Sequence, residues 1–274
     1  MPAKIVFGFG DPPWQLLNSL HHRAAQFSEP PLYYYQPIAL DAAAVEKSCT
    51  LLRSPSVHGC HFTSALPLSA INWLDDVGMA ARSSESIDVV YKGNKNVIGE
   101  DSALAGALRA LRAAGLNNNG LRTLLIGAEY RALSLAHALS LQGMEQLQLL
   151  HISVDRVRAM ASSLKRDSSK LSVMFGSLLS ENLQSLVNEA DLLIIAISPE
   201  DTLSLSALPA TLILPPHLII YNLAPYATTS WELSHPTRCI LPHTLQFWQL
   251  AECYRLWNGQ DPPWEVLRQL VDHA

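Results

Sequence analysis

Chemistry in this chain would centre on Gly127. That glycine follows the apolar run Leu124–Ile126 and precedes a segment of helical spacing from Ala132 to Leu141, closed by Gly143. A glycine between a buried strand and a helix is where a dinucleotide pyrophosphate settles. The bare backbone lets phosphates approach, and the helix N-terminus supplies positive potential. The loop reads Gly127-Ala128-Glu129-Tyr130-Arg131-Ala132 and keeps only the first of the glycines such a loop uses. Glu129 puts a carboxylate where phosphates would lie, Tyr130 adds bulk, and Arg131 offsets part of the charge. The alternative is a plain strand-to-helix turn, with Glu129 favourably placed against the helix dipole. Gly127, Ala128 and Arg131 are the residues left to hold NAD or NADP, if the loop binds either.

The other reactive side chains offer less. Cys49, Cys60, Cys239 and Cys253 are far apart and form no CxxC, so neither a disulfide framework nor a zinc knuckle is expected. Reduced thiols in a cytoplasmic protein are the simplest reading. Cys60 and Cys253 read as core thiols. His21-His22 reads as an exposed helix position with no third ligand at suitable spacing, and no metal site is expected.

The elements that must position these residues can be read from periodicity. The 274 residues suit one large or two medium domains, and 49% hydrophobic with 16% charged residues is a globular composition. The net charge of −5 is spread without runs of one sign, which argues against nucleic-acid or membrane-surface partners. No apolar stretch reaches a membrane-spanning length, and the N-terminal Met1-Pro-Ala-Lys-Ile-Val-Phe is too short for a signal segment. Strands are expected at Lys4–Phe7, Leu32–Pro37 and Val57–Thr63, helices after Asp11 and over Ala42–Arg53, and a hairpin around Gly93-Asn94. Asp101 or Ser102 caps a helix that stops at Gly115. After the polar run Asn117–Gly120, short apolar strands alternate with helices at Leu124–Ile126, Leu147–Ile152, Val173-Met174, Leu192–Ile197 and Leu218–Leu223. That alternation implies a parallel sheet covered on both faces. Thr244–Trp257 and the segment opened by Asp261-Pro-Pro-Trp264 read as closing helices. The expected fold is therefore α/β. A Rossmann-like doubly wound domain is expected over 102–239.

Several fragments keep the order and spacing of one family. Gln249, Ala251, Trp257 and Gly259 fit a closing pattern Q-x-A-x-x-x-x-x-W-x-G. Pro225 and Thr228 fit P-x-x-T, the stretch Ile98-Gly99-Glu100-Asp101-Ser102 stands at a G-x-N-T-D whose glycine is Gly99, and Gly59-Cys60-His61-Phe62-Thr63 at a G-x-N-V-T that leads into P-x-K. In these the chain resembles the shikimate dehydrogenase family over nearly its whole length. The resemblance implies an N-terminal α/β substrate-type domain over 1–101, completed by about 240–274, and NADPH-dependent reduction of a ring ketone, with a lysine–aspartate pair handling the proton and anchoring substrate. The matched lysine position is Pro67 and the matched aspartate position is Ala103. Neither can titrate, and loss of a positioned general acid typically lowers rate by roughly 10²–10⁴. The family's S-x-S has no counterpart in Gly8–Ser19, its substrate-contacting asparagine falls near Asp88, and its N-R-T falls on His151-Ile152-Ser153. Thr63 and Gln249 are what remains of the substrate-cleft residues. The resemblance thus points to a relative that has lost the reaction and kept the fold as a binding or regulatory module for a small molecule. The alternative is an oxidoreductase with an altered substrate, using His61 with Asp88 or Asp101 as a rebuilt acid–base pair. Oligomeric state is not indicated by the sequence.

Overall fold

A computed structural model of the chain describes residues 4–10, 15–25, 33–39, 49–68, 72–167, 170–179, 181–198, 201, 212–224 and 239–272. The chain forms two compact units. The first comprises Met1–Ala107 with Gln246–Ala274, and the second Leu108–Leu245.

The first unit is built on a mixed six-stranded sheet. Its strands are β1 (Ile5–Gly10), β2 (Tyr34–Ala39), β3 (Val57–Pro67), β4 (Asp76–Val77), β5 (Ser86–Lys92) and β6 (Val97–Glu100), in the order β2-β1-β3-β5-β6-β4. β1 lies parallel to β2 and β3, while β5 runs antiparallel to β3 and β6. The expected hairpin is present, with Gly93 N–H donating to the Asn96 carbonyl at 2.9 Å. β3 continues past the expected end at Thr63, because the register slips between His61 and Leu66 and the strand then pairs again, Leu66 with Ile87 and Pro67 with Ser86. Helices α1 (Gln15–Ala25), α2 (Met79–Ser84), α7 (Pro242–Asn258) and α8 (Trp264–Asp272) belong to this unit or enter it, and a 3-10 turn spans Cys49–Arg53. The expected helix start at Asp11, the stretch 42–48 of the expected second helix, and Pro225 and Thr228 lie outside the described residues.

Apolar side chains lie on both faces of this sheet. One cluster gathers Phe9, Cys60, Phe62, Ile87, Val90 and Val97. The other joins Val6, Tyr35 and Val89 of the sheet to Leu20 of α1, to Leu250, Ala251, Cys253 and Trp257 of α7, and to Leu267 of α8. His21 sits here too and is fully buried, which corrects its reading as an exposed helix position. The amphipathic register of α1 turns His21 inward with Leu20 and Ala24, while His22 stays exposed.

The second unit has the order β9-β8-β7-β10-β11-β12, every pairing parallel. The strands are β7 (Leu121–Gly127), β8 (Met144–His151), β9 (Ser172–Ser177), β10 (Leu192–Ala196), β11 (Ile219–Asn222) and β12 (Cys239–Ile240). Numbered within the unit this is 3-2-1-4-5-6, the doubly wound dinucleotide-fold order. Helix α3 (Ser102–Ala113) leads into it, and α4 (Tyr130–Leu141), α5 (Val154–Asp167) and α6 (Leu183–Glu189) form its crossovers. β10 is buried at every residue, as a central parallel strand covered on both faces requires. No described helix of the chain is long and apolar enough to cross a membrane.

Candidate functional site

The residues singled out in the first unit converge on the start of α3. Asp101 has the position of an N-cap, and its Oδ1 accepts from the Leu104 N–H at 2.8 Å. Asp88, from β5, reaches the same helix end. Its carboxylate accepts from the Ser102 N–H at 2.6 Å, the Ser102 hydroxyl at 2.8 Å and the Ala103 N–H at 3.3 Å. Gln249 of α7 adds a fourth donor, its Nε2 lying 2.9 Å from Asp88 Oδ2. Ser86 donates its hydroxyl to Asp101 Oδ2 at 3.0 Å. Glu100 performs the same service for α2, accepting from the Ala81 N–H at 2.7 Å and from the Asp101 N–H at 3.0 Å. The acids of this region are thus bonded to helix N-termini, where unsatisfied N–H groups and the dipole favour negative charge.

Electrostatics at Asp88 run in both directions. Burial, and then the neighbouring Asp101 carboxylate, push its pKa up to about 7 against the pull of the Ser102 and Gln249 donors. Burial likewise raises the Glu100 carboxyl.

His61 does not join this group. It is 1% exposed, and both ring nitrogens lack a hydrogen-bond partner, so it forms no acid–base pair with Asp88 or Asp101. Burial pushes its pKa down to about 4, which holds the ring neutral. The three expected candidates are therefore split, the two carboxylates together and the histidine in the apolar core. Thr63 is half-buried on β3, and its hydroxyl fills the space where Gly10 has no side chain. Pro67 is exposed and faces Ser86 across the β3–β5 ladder, and Ala103 is exposed in the first turn of α3.

The closing pattern of α7 has a structural explanation at each position. Gln249 bonds Asp88. Ala251 is fully buried against the sheet. Trp257 donates its indole N–H to the Val90 carbonyl at 3.2 Å, over Gly59, where any Cβ would meet that carbonyl at 2.3 Å and the indole at 2.6 Å. Gly259 takes φ +73° just past the helix end, a left-handed stop suited to glycine.

In the second unit, Gly127 adopts φ +115°, and a Cβ there would lie 2.0 Å from the Ala196 carbonyl oxygen. Backbone packing of β7 against β10 therefore demands this glycine by itself. Glu129 takes the N-cap position of α4 without a side-chain cap bond, and its carboxyl is raised by burial and lowered by Arg131. Tyr130 and Arg131 are exposed. At the carboxyl end of β8, the buried His151 bonds Asp201, which follows β10, and Arg156 lies 3.5 Å from the same carboxylate. The carboxyl ends of strands are where such sheets bind ligands. Here that edge carries Glu129 and Asp201, and the nearby cation Arg156 already faces Asp201. Among the described residues, this loop offers one glycine and a carboxylate, Glu129, only partly offset by Arg131, a poor fit to a nicotinamide dinucleotide in its ordinary geometry. The His151–Asp201 pair was not foreseen, since 50 residues separate its partners in sequence. Ser102 carried a weak signal as the residue after a helix cap.

No family model matches the chain. It is similar to the NADP-dependent shikimate dehydrogenase of Streptococcus pneumoniae, 24% identical over 237 residues that cover 84% of this chain and 82% of that protein. Among solved structures, it is similar to the Listeria monocytogenes shikimate 5-dehydrogenase in complex with shikimate and NAD, with a TM-score of 0.78 at 16% identity, covering 98% of this chain and 96% of that one. The quinate dehydrogenase of Corynebacterium glutamicum in complex with NAD gives a TM-score of 0.74 at 15% identity, covering 99% of each chain.

Proposed function

We propose that the chain, which is similar to shikimate dehydrogenases in sequence and fold, no longer reduces a ring ketone with a nicotinamide and serves as a binding or regulatory module. One observation carries this reading. Gln249 and Asp88, at two positions matched to the family's substrate contacts, bond each other and the start of α3. Donors and acceptors committed to each other are not available to a substrate's hydroxyls without breaking that bond. The chemistry around them agrees. Pro67 and Ala103 bring no titratable group to the positions of the lysine and aspartate. The acidic side chains Asp88, Asp101 and Glu100 offer an anionic acid no positive partner. In the second unit, Glu129 and Asp201 disfavour a pyrophosphate.

A thermal-unfolding screen tests the reading. A ligand at a hundredfold excess over its dissociation constant adds about 2.7 kcal/mol of stability. NAD, NADP and shikimate, singly and together, are expected to leave the melting temperature unchanged. A shift of several degrees with a nicotinamide nucleotide would show that the degenerate loop still binds it and would favour the altered oxidoreductase.

A further inference from the structure

The core beneath α7 holds three metal-ligating side chains that the site described above does not use. His21 of α1, His61 of β3 and Cys253 of α7 place one ligand atom each within 4.8 Å of one another. All three are at most 1% exposed. The His21 ring stacks on Tyr35 with centroids 4.9 Å apart, and it packs against Trp257 at 5.1 Å and His61 at 5.2 Å. Both ring nitrogens of both histidines are buried without a hydrogen-bond partner. An unsatisfied buried polar group is costly, and native cores rarely keep several together. The sequence hides this cluster, because its members are 40 and more residues apart on three separate elements.

We propose that His21, His61 and Cys253 form a buried three-coordinate site for copper, held as Cu(I). The geometry needs little adjustment. Metal–nitrogen and metal–sulfur bonds of about 2.0–2.3 Å would bring three ligand atoms around one ion to roughly 3.5–4 Å apart. Side-chain rotation can close that difference from the present separations. On binding, the Cys253 S–H bond breaks, its proton leaves to solvent and a copper–sulfur bond forms, with no change in oxidation state.

Charge and ligand type select the ion. One thiolate and two imidazoles are a soft donor set, which copper favours. Cu(I) with one thiolate is neutral. Zinc would ordinarily take a fourth ligand, and among the described residues no further His, Cys, Asp or Glu joins this group.

The test uses the full chain produced in medium supplemented with copper or with zinc, and reads metal per chain after exposure to a competing chelator. About one copper per chain is expected. Cys253→Ala and His61→Phe should lower copper affinity by at least roughly tenfold, while His22→Gln, on the exposed side of α1, should leave it unchanged. X-ray absorption at the copper edge of the unaltered chain is independent of how the variants fold, and should report one sulfur and two nitrogen neighbours. Retention of no copper, equal retention by the Cys253 and His61 variants, a different ligand set, or retention of zinc in preference to copper would each overturn the proposal.

Discussion

Gln249 Nε2 lies 2.9 Å from Asp88 Oδ2, and this bond ties α7 to β5 across 161 residues of sequence. The carboxylate it meets already holds the first N–H groups of α3. Asp88→Ala would leave the buried Ser102 donors and the half-buried Gln249 amide without this acceptor. Each such loss costs about 1–3 kcal/mol, so a fall in stability of several kcal/mol is expected in urea unfolding. A change below about 0.5 kcal/mol, the ordinary surface value, would show that the bond network contributes little.

Asp88 also sets a pH dependence. Its folded-state pKa of about 7 lies above the usual value near 3.9 for an unfolded aspartate. Between those values the folded chain holds more protons than the unfolded one, so this group's contribution falls as pH rises from about 4 to 7. The slope is at most about 1.4 kcal/mol per pH unit, and it vanishes outside the window. Asp88→Asn removes it. The stability advantage of the parent chain over Asp88→Asn should therefore shrink between pH 4.5 and 7. An advantage that grows with pH would mean that the helix-end donors hold the carboxylate ionised more strongly than burial and Asp101 oppose it.

The order of strands and helices was legible from periodicity, and so was the hairpin at Gly93-Asn94, because these depend on neighbours in sequence. A cap at Asp101 or Ser102 was legible for the same reason, and Asp101 takes that role. The burial of His21 was not. Its inward turn depends on α7, more than 200 residues away, covering that face of the sheet with Cys253 and Trp257. The extension of β3 to Pro67 was hidden by the slip in register after His61, which breaks any simple alternation. The grouping of His61 with two acids failed because matching positions to a family gives proximity to a region but not the direction of a side chain.

Gly59 and Trp257 make a separable test of the α7 anchor. Gly59→Ala would press its methyl against the Val90 carbonyl as well as the indole. Overpacking of this kind typically costs about 1–3 kcal/mol. Trp257→Leu frees the indole side but not the backbone side, so it should not rescue Gly59→Ala. Full rescue in a double-mutant cycle would show that the indole alone limits the space.

Gly127→Ala separates packing from phosphate binding. The positive φ and the 2.0 Å approach to the Ala196 carbonyl predict a marked loss of stability with no nucleotide present. The drop in melting temperature should be the same with and without NADP. A stable variant would mean that β7 and β10 can part at this point without penalty.

Turnover itself bears most directly on the claim that the fold is kept and the reaction lost. Purified full chain would be mixed with shikimate and NADP, and separately with NAD, while formation of the reduced nicotinamide is followed. With Pro67 and Ala103 at the positions of the proton-handling pair, no rate above the enzyme-free blank is predicted. A rate of about 1 per second or more, the ordinary range for an enzyme, would contradict the account.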